Sequence, residues 1–402
     1  MFEFEEQHKM IAAAIRQFAE REIAPNVDRL ERGEILPFDL MRKMGKAFML
    51  PDMVKKGFEK MKKQAEEEGE ESVKGRRRVG MTEDVGIGAV MAIELSKYSP
   101  GFVLSLGASL GLCGGAIMAK GTMEQKERFG LPVLTMEKIG CWAITEPDAG
   151  SDAFALKSTA VPDGDGYVLN GSKTFITNAP YADVMVVYAK IDRGREEKRT
   201  HAFVLEKGME GLTVSKPMSK MGMRASPTGE IFMENVRAGK DRLLGGVEKE
   251  PASGEAIETF QGERTGSAPM ALGIIEKCLD DCVRYARQRT QFGKPIGEYQ
   301  LIQDKLAKMY VARENVRNMV FKQIWMAKNG RRPTRAEASA IKLYCSRAAV
   351  DVALDAVQIM GGYGYMQEYR VEMLMRDAKL LEIGGGTSEI QIVTIARELL
   401  RD

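Results

Sequence analysis

Over roughly the first 140 residues, apolar positions recur at spacings of three and four, as at Ile11, Ile15 and Phe18, while strand-type alternation is scarce. That period predicts helices. Asp52 to Val79 breaks the pattern with Lys55, Lys56, Lys60, Lys62 and Lys63, then Glu66, Glu67, Glu68, Glu70 and Glu71, and finally Arg76, Arg77 and Arg78. It reads as a solvated helix or a mobile insertion whose charges face water. From about Gly140 the period changes, and Val184–Tyr188, Ala202–Leu205, Leu212–Val214 and Ile231–Met233 are short β-rich runs bounded by turn residues. Asp163-Gly164-Asp165-Gly166 and Asn170-Gly171 supply the positive backbone angles of tight hairpins, so a compact, mostly antiparallel β domain is predicted to about residue 250. Beyond Glu250 the helical period returns more strongly. Ala338, Ile341, Cys345, Ala348, Val352, Ala356 and Ile359 form a stripe that belongs in a helix bundle.

Length and composition narrow this picture. A chain of 402 residues exceeds one compact core and favours two or three units. With 59 basic and 57 acidic residues the net charge is only +2, so no global field points to nucleic acid or a membrane surface. Five scattered cysteines without CxxC spacing argue against a disulfide framework, a zinc site or a redox dithiol, and a cytoplasmic protein is expected. Cys278 and Cys282, four apart on a predicted helix, are expected to pack rather than bind metal. The acidic start Met1-Phe2-Glu3-Phe4-Glu5-Glu6 lacks a signal-peptide pattern. No stretch is expected to approach the about 18 uncharged apolar residues of a membrane helix, so a soluble chain is expected. His8 and His201 are too few for a multi-histidine metal centre, and both are expected at the surface or at element edges.

Gly86-Ile87-Gly88 and Gly362-Tyr363-Gly364 lack the third glycine of GxGxxG and follow no predicted strand, which disfavours a Rossmann nucleotide site. Chemistry concentrates instead in Ala143-Ile144-Thr145-Glu146-Pro147-Asp148-Ala149-Gly150-Ser151-Asp152, where hydroxyls and a glycine turn stand at the entrance to the β domain. Exposed N–H groups and hydroxyls of this kind can hold flavin edges and phosphate oxygens. Further segments follow in order: Asn170-Gly171-Ser172-Lys173-Thr174-Phe175-Ile176-Thr177-Asn178, Lys220-Met221-Gly222-Met223-Arg224-Ala225-Ser226, Arg287-Gln288-Arg289-Thr290-Gln291-Phe292-Gly293, Gln358-Ile359-Met360-Gly361-Gly362-Tyr363-Gly364 and Gly386-Thr387-Ser388-Glu389-Ile390-Gln391. With these segments the chain resembles the acyl-CoA dehydrogenase family over essentially its full length. The resemblance implies an α+β fold with an N-terminal helical domain (1–139), a middle antiparallel β domain (140–250) and a C-terminal four-helix bundle (251–402). It also implies an FAD-dependent oxidoreductase acting on acyl-CoA thioesters.

Carried over position by position, the resemblance implies that Trp142, Ile144 and Thr145 edge the flavin, with Phe175 and Thr177 on its other side and Gly150 in the cofactor-binding turn. Phe175 stands where many members carry tryptophan, which keeps an aromatic face without an indole N–H. Ser151 is implied to contact both FAD and the CoA arm. Arg289, Gln291, Phe292, Gln358, Gly361 and Gly362 are implied to reach the FAD of a neighbouring subunit, whereas Thr387 and Glu389 bind FAD within the chain. A homo-oligomer follows, commonly a homotetramer arranged as a dimer of dimers. An electron-transfer flavoprotein is the implied electron acceptor.

The catalytic base is the point of departure. Many members place a glutamate directly before the Gly-Thr of the last segment, but this chain reads Ile383-Gly384-Gly385-Gly386-Thr387. In the isovaleryl-CoA and long-chain branches the glutamate comes from an early helix of the third domain, just before an arginine, and Phe260-Gln261-Gly262-Glu263-Arg264 stands at that place. The resemblance therefore implies Glu263 as the α-proton base, Arg264 and Gly384 at the substrate, and hydride transfer to flavin N5. It implies that the Gly385 N–H stabilises the enolate on the thioester oxygen. Glu146 is read as structural, Glu382 as pointing away from the flavin, and Met373 as replacing a usual Lys or Arg. The triple glycine removes bulk, so a branched, ring-bearing, 2-substituted or long acyl group is expected over a short straight one. Arylated or 2-substituted dicarboxylic thioesters such as benzylsuccinyl-CoA are admitted on the condition that a basic group lines the pocket. One rival is an oxidase or decarboxylating dehydrogenase of the same fold, although Gly101–Ser105 offers no arginine for a distal carboxylate. Another is a non-catalytic flavoprotein scaffold, suggested by the missing glutamate before Gly386 and opposed by Glu263.

Overall fold

The computed structural model describes residues 3–76, 79–80, 84–194, 198–248 and 253–401, with the backbone alone over 253–265. Its N-terminal part is helical, including α1 (Glu6–Phe18), α2 (Pro37–Ala47), α3 (Leu50–Glu68), α4 (Val85–Ser96) and α5 (Pro100–Lys120). Helix α1 buries Ile15 and Phe18, as its period predicts. His8 contradicts the surface expectation: it is buried, its Nδ1 accepts the Glu5 N–H at 3.1 Å and its Nε2 lies 3.0 Å from Asp84 Oδ2. Asp84 in turn accepts the Gly86 N–H at 2.7 Å, so this histidine ties together the first turns of α1 and α4. Orphan N–H groups at helix starts require such partners.

As far as Glu68 the charged stretch forms the amphipathic helix α3, and Arg77 and Arg78 lie outside the described residues. Val54, Phe58, Met61 and Ala65, three or four apart, pack with Val73, Val79, Met118 and Leu134, and the interleaved lysines and glutamates turn outward. Helix α5 corrects a second expectation. By length and composition it is apolar enough to cross a membrane, and its glycines and serines disguise that in the sequence; 72% of its apolar window is buried in the fold.

The middle of the chain forms one sheet from β1 (Gly140–Ala143), β2 (Thr159–Asp163), β3 (Gly166–Thr177), β4 (Val184–Ile191), β5 (Arg199–Glu206), β6 (Leu212–Val214) and β7 (Thr228–Gly239). The order is β1-β4-β2-β3-β7-β6, with β5 also on β4. β1 and β2 run parallel to β4, and the β2–β3, β3–β7, β4–β5 and β6–β7 pairs are antiparallel. The continuous apolar run of β4 is explained by burial on both faces. Met185, Val187 and Ala189 join the sheet's own core, while Val184, Val186 and Tyr188 pack with Cys113 and Ile117 of α5 and with Phe129 and Val133. Gly164, at φ +59°, makes the β2–β3 hairpin as expected. Asn170-Gly171 instead lies inside β3, where the register on β7 shifts and Gly171 takes φ +137°. A bulge demands glycine for the same reason a turn does, and a Cβ here would overlap the Ser158 side chain.

The C-terminal part comprises α6 (Ser253–Gln288), α7 (Gln300–Lys328), α8 (Arg335–Met360), α9 (Val371–Ile383) and α10 (Ser388–Leu399). All seven residues of the predicted stripe on α8 are buried. Cys278 and Cys282 are also buried, and burial pushes both thiols up, which is packing rather than ligation. One apolar cluster joins this bundle to the N-terminal helices through residues such as Ile15, Ile93, Ile274, Val320, Cys345 and Leu374. The sheet thus packs one face of β4 against α5 and the segment around Phe129 and Val133.

Candidate active site

The segment that follows β1 is held from below by an ion pair. Glu146 and Lys173 are both buried; Glu146 Oε1 accepts from Lys173 Nζ at 2.6 Å and from the Ser158 N–H at 3.0 Å, and Oε2 accepts the Lys157 N–H at 2.5 Å. Burial opposes ionisation of this carboxyl, and the bonds from Lys173, Ser158 and Lys157 outweigh it, holding Glu146 below the usual carboxylate range. Two reciprocal backbone bonds between Glu146 and Ala149 close the tight turn, and the Thr174 N–H donates to Thr145 O at 3.0 Å. These contacts set Trp142, Ile144 and Thr145 against β3, which carries Phe175 and Thr177. Trp142 and Ile144 are buried, Trp142 edge-on to Tyr188 at 5.3 Å, while Thr145 and Thr177 are half-buried and Gly150 and Ser151 exposed. Phe175, at φ +59°, is 69% exposed, so left-handed backbone holds a large ring outside the core.

A second group gathers at the end of the bundle. Arg289, Gln291, Gly361 and Gly362, with Tyr285, Tyr363 and Met366, line a cavity of about 520 Å³. The Arg289 guanidinium lies over the Tyr363 ring at 5.5 Å. Phe292 is 95% exposed at φ +49°, and Gln358 is exposed on the last turn of α8. These two groups of sequence-predicted residues lie on different elements, one edging the sheet and one at the bundle end.

The third part is the turn between α9 and α10. Gly385 and Gly386 take φ +66° and +91°, and Thr387 caps α10 by accepting the Ile390 N–H at 3.4 Å. Glu389 is exposed in the first turn of α10, and the backbone N–H there, followed by the Thr387 hydroxyl, holds its carboxyl below the usual range. The N–H groups of Gly385 and Gly386 meet no acceptor among the described residues. Glu382 pairs with Lys379 at 2.6 Å, and Met373 is buried. The side chains of Glu263 and Arg264 lie outside the described residues, and their backbone belongs to α6.

FAD fits these residues. An exposed aromatic ring beside a turn of hydroxyls suits a flat ring system. Buried Ser388 Oγ, without a partner among the described residues, is a polar atom of a kind that a polar ligand satisfies. The sequence reading did not single out Lys173, Gln391 or Lys342. The first two lie inside quoted segments. Lys342 lies four residues after Ala338 and three before Cys345, so the helical period already placed a cation on the buried face of α8.

Family models match the chain in order: Acyl-CoA dehydrogenase, N-terminal domain over residues 5–62, middle domain over 141–236 and C-terminal domain over 254–400. The chain is 37% identical over 398 residues to a 3-(aryl)acrylate reductase of Clostridium sporogenes, covering 99% of this chain and 100% of that protein. The structure of butyryl-CoA dehydrogenase from Megasphaera elsdenii is similar at TM-score 0.85 and 34% identity over 100% of both chains. An acyl-CoA dehydrogenase from Bacillus anthracis complexed with FAD is similar at TM-score 0.86 and 30% identity, covering 99% of this chain and 68% of that one.

Proposed function

The chain belongs to the acyl-CoA dehydrogenase family, and we propose that within it this protein performs α,β-dehydrogenation of a bulky acyl-CoA with Glu263 as the base. As an FAD-dependent oxidoreductase it draws its hydride acceptor from the bound flavin. The chain's own groups handle the proton and the developing charge. The Glu263 carboxylate takes the α-proton, and the Gly385 N–H donates to the thioester oxygen as negative charge gathers there. The carrying observation is the turn Gly384–Gly386: it has N–H groups without acceptors among the described residues and no side chain that could serve as base. The carboxylate must therefore come from another element, and Glu263 on α6 is the candidate.

The same turn leaves space beside the reacting carbons, which supports a branched, ring-bearing, 2-substituted or long acyl group. The likeness to a relative named for aryl-substituted acrylates supports the ring-bearing member of that class. Trp142, Ile144, Thr145, Phe175 and Thr177 would edge the flavin of their own chain. Arg289, Gln291, Phe292, Gln358, Gly361 and Gly362 would meet that of a second copy in a homo-oligomer. An electron-transfer flavoprotein is the proposed acceptor, and the cytoplasm the proposed location.

Anaerobic titration of the purified flavoprotein with acyl-CoA esters of graded length, branching and ring content tests this reading through flavin absorbance. One bulky ester should bleach it at stoichiometric amounts, and butyryl-CoA as the best substrate by kcat/KM would reject the substrate class. Glu263→Gln should keep FAD and bind the ester without bleaching. Undiminished reduction in that variant would move the base elsewhere.

A further inference from the structure

Three successive glycines leave the turn after α9 with no conformational preference of its own and no side chain to pack it in place. Its shape depends on what grips its backbone. The Gly384 N–H donates to Leu380 O at 2.8 Å, ending α9. On the carbonyl side, Lys342 Nζ donates to Gly386 O at 2.5 Å. Gln391 Nε2 donates to the same oxygen at 2.9 Å and lies 3.4 Å from Gly385 O. Lys342 is 1% exposed and Gln391 0%.

Gln391 belongs to the helix that follows the turn, whereas Lys342 reaches it from α8, so the lysine is the grip that ties the turn to the bundle. An ammonium taken out of water is costly unless its hydrogen bonds are made, and packing alone would be served better by an apolar residue. A charged donor also makes the stronger bond to a carbonyl. In a trans peptide the C=O and N–H point in opposite directions. The grip on Gly386 O therefore fixes the peptide that carries the Thr387 N–H, the contact at Gly385 O the one that carries the Gly386 N–H, and the Gly385 N–H is held through the backbone of the turn they anchor.

We propose that Lys342 is a positioning residue: seconded by Gln391, it grips the carbonyl side of the Gly385–Gly386 turn so that its N–H side stays presented to the substrate thioester. The inference rests on the dehydrogenation reading above. Lys342 acts through the backbone and does not touch the thioester. In a chain whose turn carries a side chain, packing of that side chain would share the task; here the buried cation does it.

The test uses full-length, FAD-loaded Lys342→Met and Gln391→Leu. Acyl-CoA affinity and FAD content should stay within about threefold of the parent protein, while kcat falls roughly 10- to 100-fold, less than outright loss of an oxyanion donor. Bound 3-thiaoctanoyl-CoA, whose α-proton can leave without hydride transfer, should give a weaker long-wavelength band in both variants. Amide hydrogen exchange over residues 384–391 should quicken at least tenfold, with or without FAD. The double variant should lose less than the product of the single losses, because both side chains hold one oxygen. Parent-like kcat and exchange in Lys342→Met, or a kcat loss matched by equal loss of FAD and ester binding, overturns the proposal. If that variant does not fold, Gln391→Leu carries the same measurements and the same two outcomes. A parent protein whose flavin answers no acyl-CoA defeats the dehydrogenation reading, while the exchange measurement still decides whether the grip exists.

Discussion

Lys173 has no exposed surface, and its ammonium meets the Glu146 carboxylate at 2.6 Å beneath the turn that leads to Gly150 and Ser151. Removing one partner of a buried pair leaves the other uncompensated, at a cost of about 3–5 kcal/mol. Lys173→Met should therefore lower the unfolding free energy at neutral pH by about that amount and weaken FAD retention. Because the Glu146 carboxyl is held below its usual range, the stabilisation is present above the unfolded carboxylate pKa and is lost as pH falls through the folded one. The deficit of Lys173→Met should accordingly shrink in acid. Chemical denaturation at pH 7 and pH 4 checks this, and a variant as stable as the parent at pH 7 would show the pair to be neutral. Phe175 illustrates the same scale from the other side. Its side-chain type is read from the sequence, but its 69% exposure at φ +59° is what makes it a ring offered to a ligand.

Among elements, α3 shows how a run of charges becomes structure. Its apolar face packs on Val73, Val79, Met118 and Leu134, and Gly57 lets its backbone touch Gly80. A Cβ at Gly57 would overlap backbone atoms of Gly80, which cannot move aside as a side-chain end can. Gly57→Ala should cost about 1–3 kcal/mol, the usual range for overpacking, and lower the thermal midpoint by several degrees. Glu66→Ala, on the exposed face, should change the stability by no more than about 0.5 kcal/mol. Differential scanning of the two proteins separates docking from solvation. Equal midpoints would mean that α3 is not fastened at Gly57.

At the scale of the molecule, α9 is bolted to the rest of the chain just before the glycine turn. Asp377 accepts the Met223 N–H from the loop between β6 and β7, and Arg376 donates to Met221 O at 2.8 Å and pairs with Glu31 at 3.3 Å. Lys220 in the same loop donates to Ser226 O and to Thr228 Oγ1 at the start of β7. Burial, then Glu31, pushes the Asp377 carboxyl up to about 7 against the pull of Met223, Arg376 and Lys220, while burial brings Lys220 down to about 8. A carboxyl raised on folding contributes stability that is present below its unfolded pKa and lost as pH rises toward about 7. Asp377→Asn mimics the protonated form, so its stability relative to the parent should be greater at pH 8 than at pH 5. Urea midpoints at the two values measure this, and a difference independent of pH would remove Asp377 from the linkage.

Local pattern alone determined which stretches became helix or strand, their order, and the inward stripe of α8, because periods of 3.6 and 2 state which side of an element is apolar. The resemblance, rather than the period, marked Glu146 as structural and confined the family's chemistry to short segments. Local pattern could not say which partner an inward residue meets. That His8 closes two helix starts, that Asn170-Gly171 bulges rather than turns, that Arg289 and Gln291 share a cleft with Gly361 and Gly362, and that Lys342 reaches a glycine carbonyl were decided only when distant segments packed together. Hydrogen bonds and ion pairs of that kind join positions far apart along the chain. No repeat in the sequence encodes their meeting, and only the tertiary structure brings them within bonding distance.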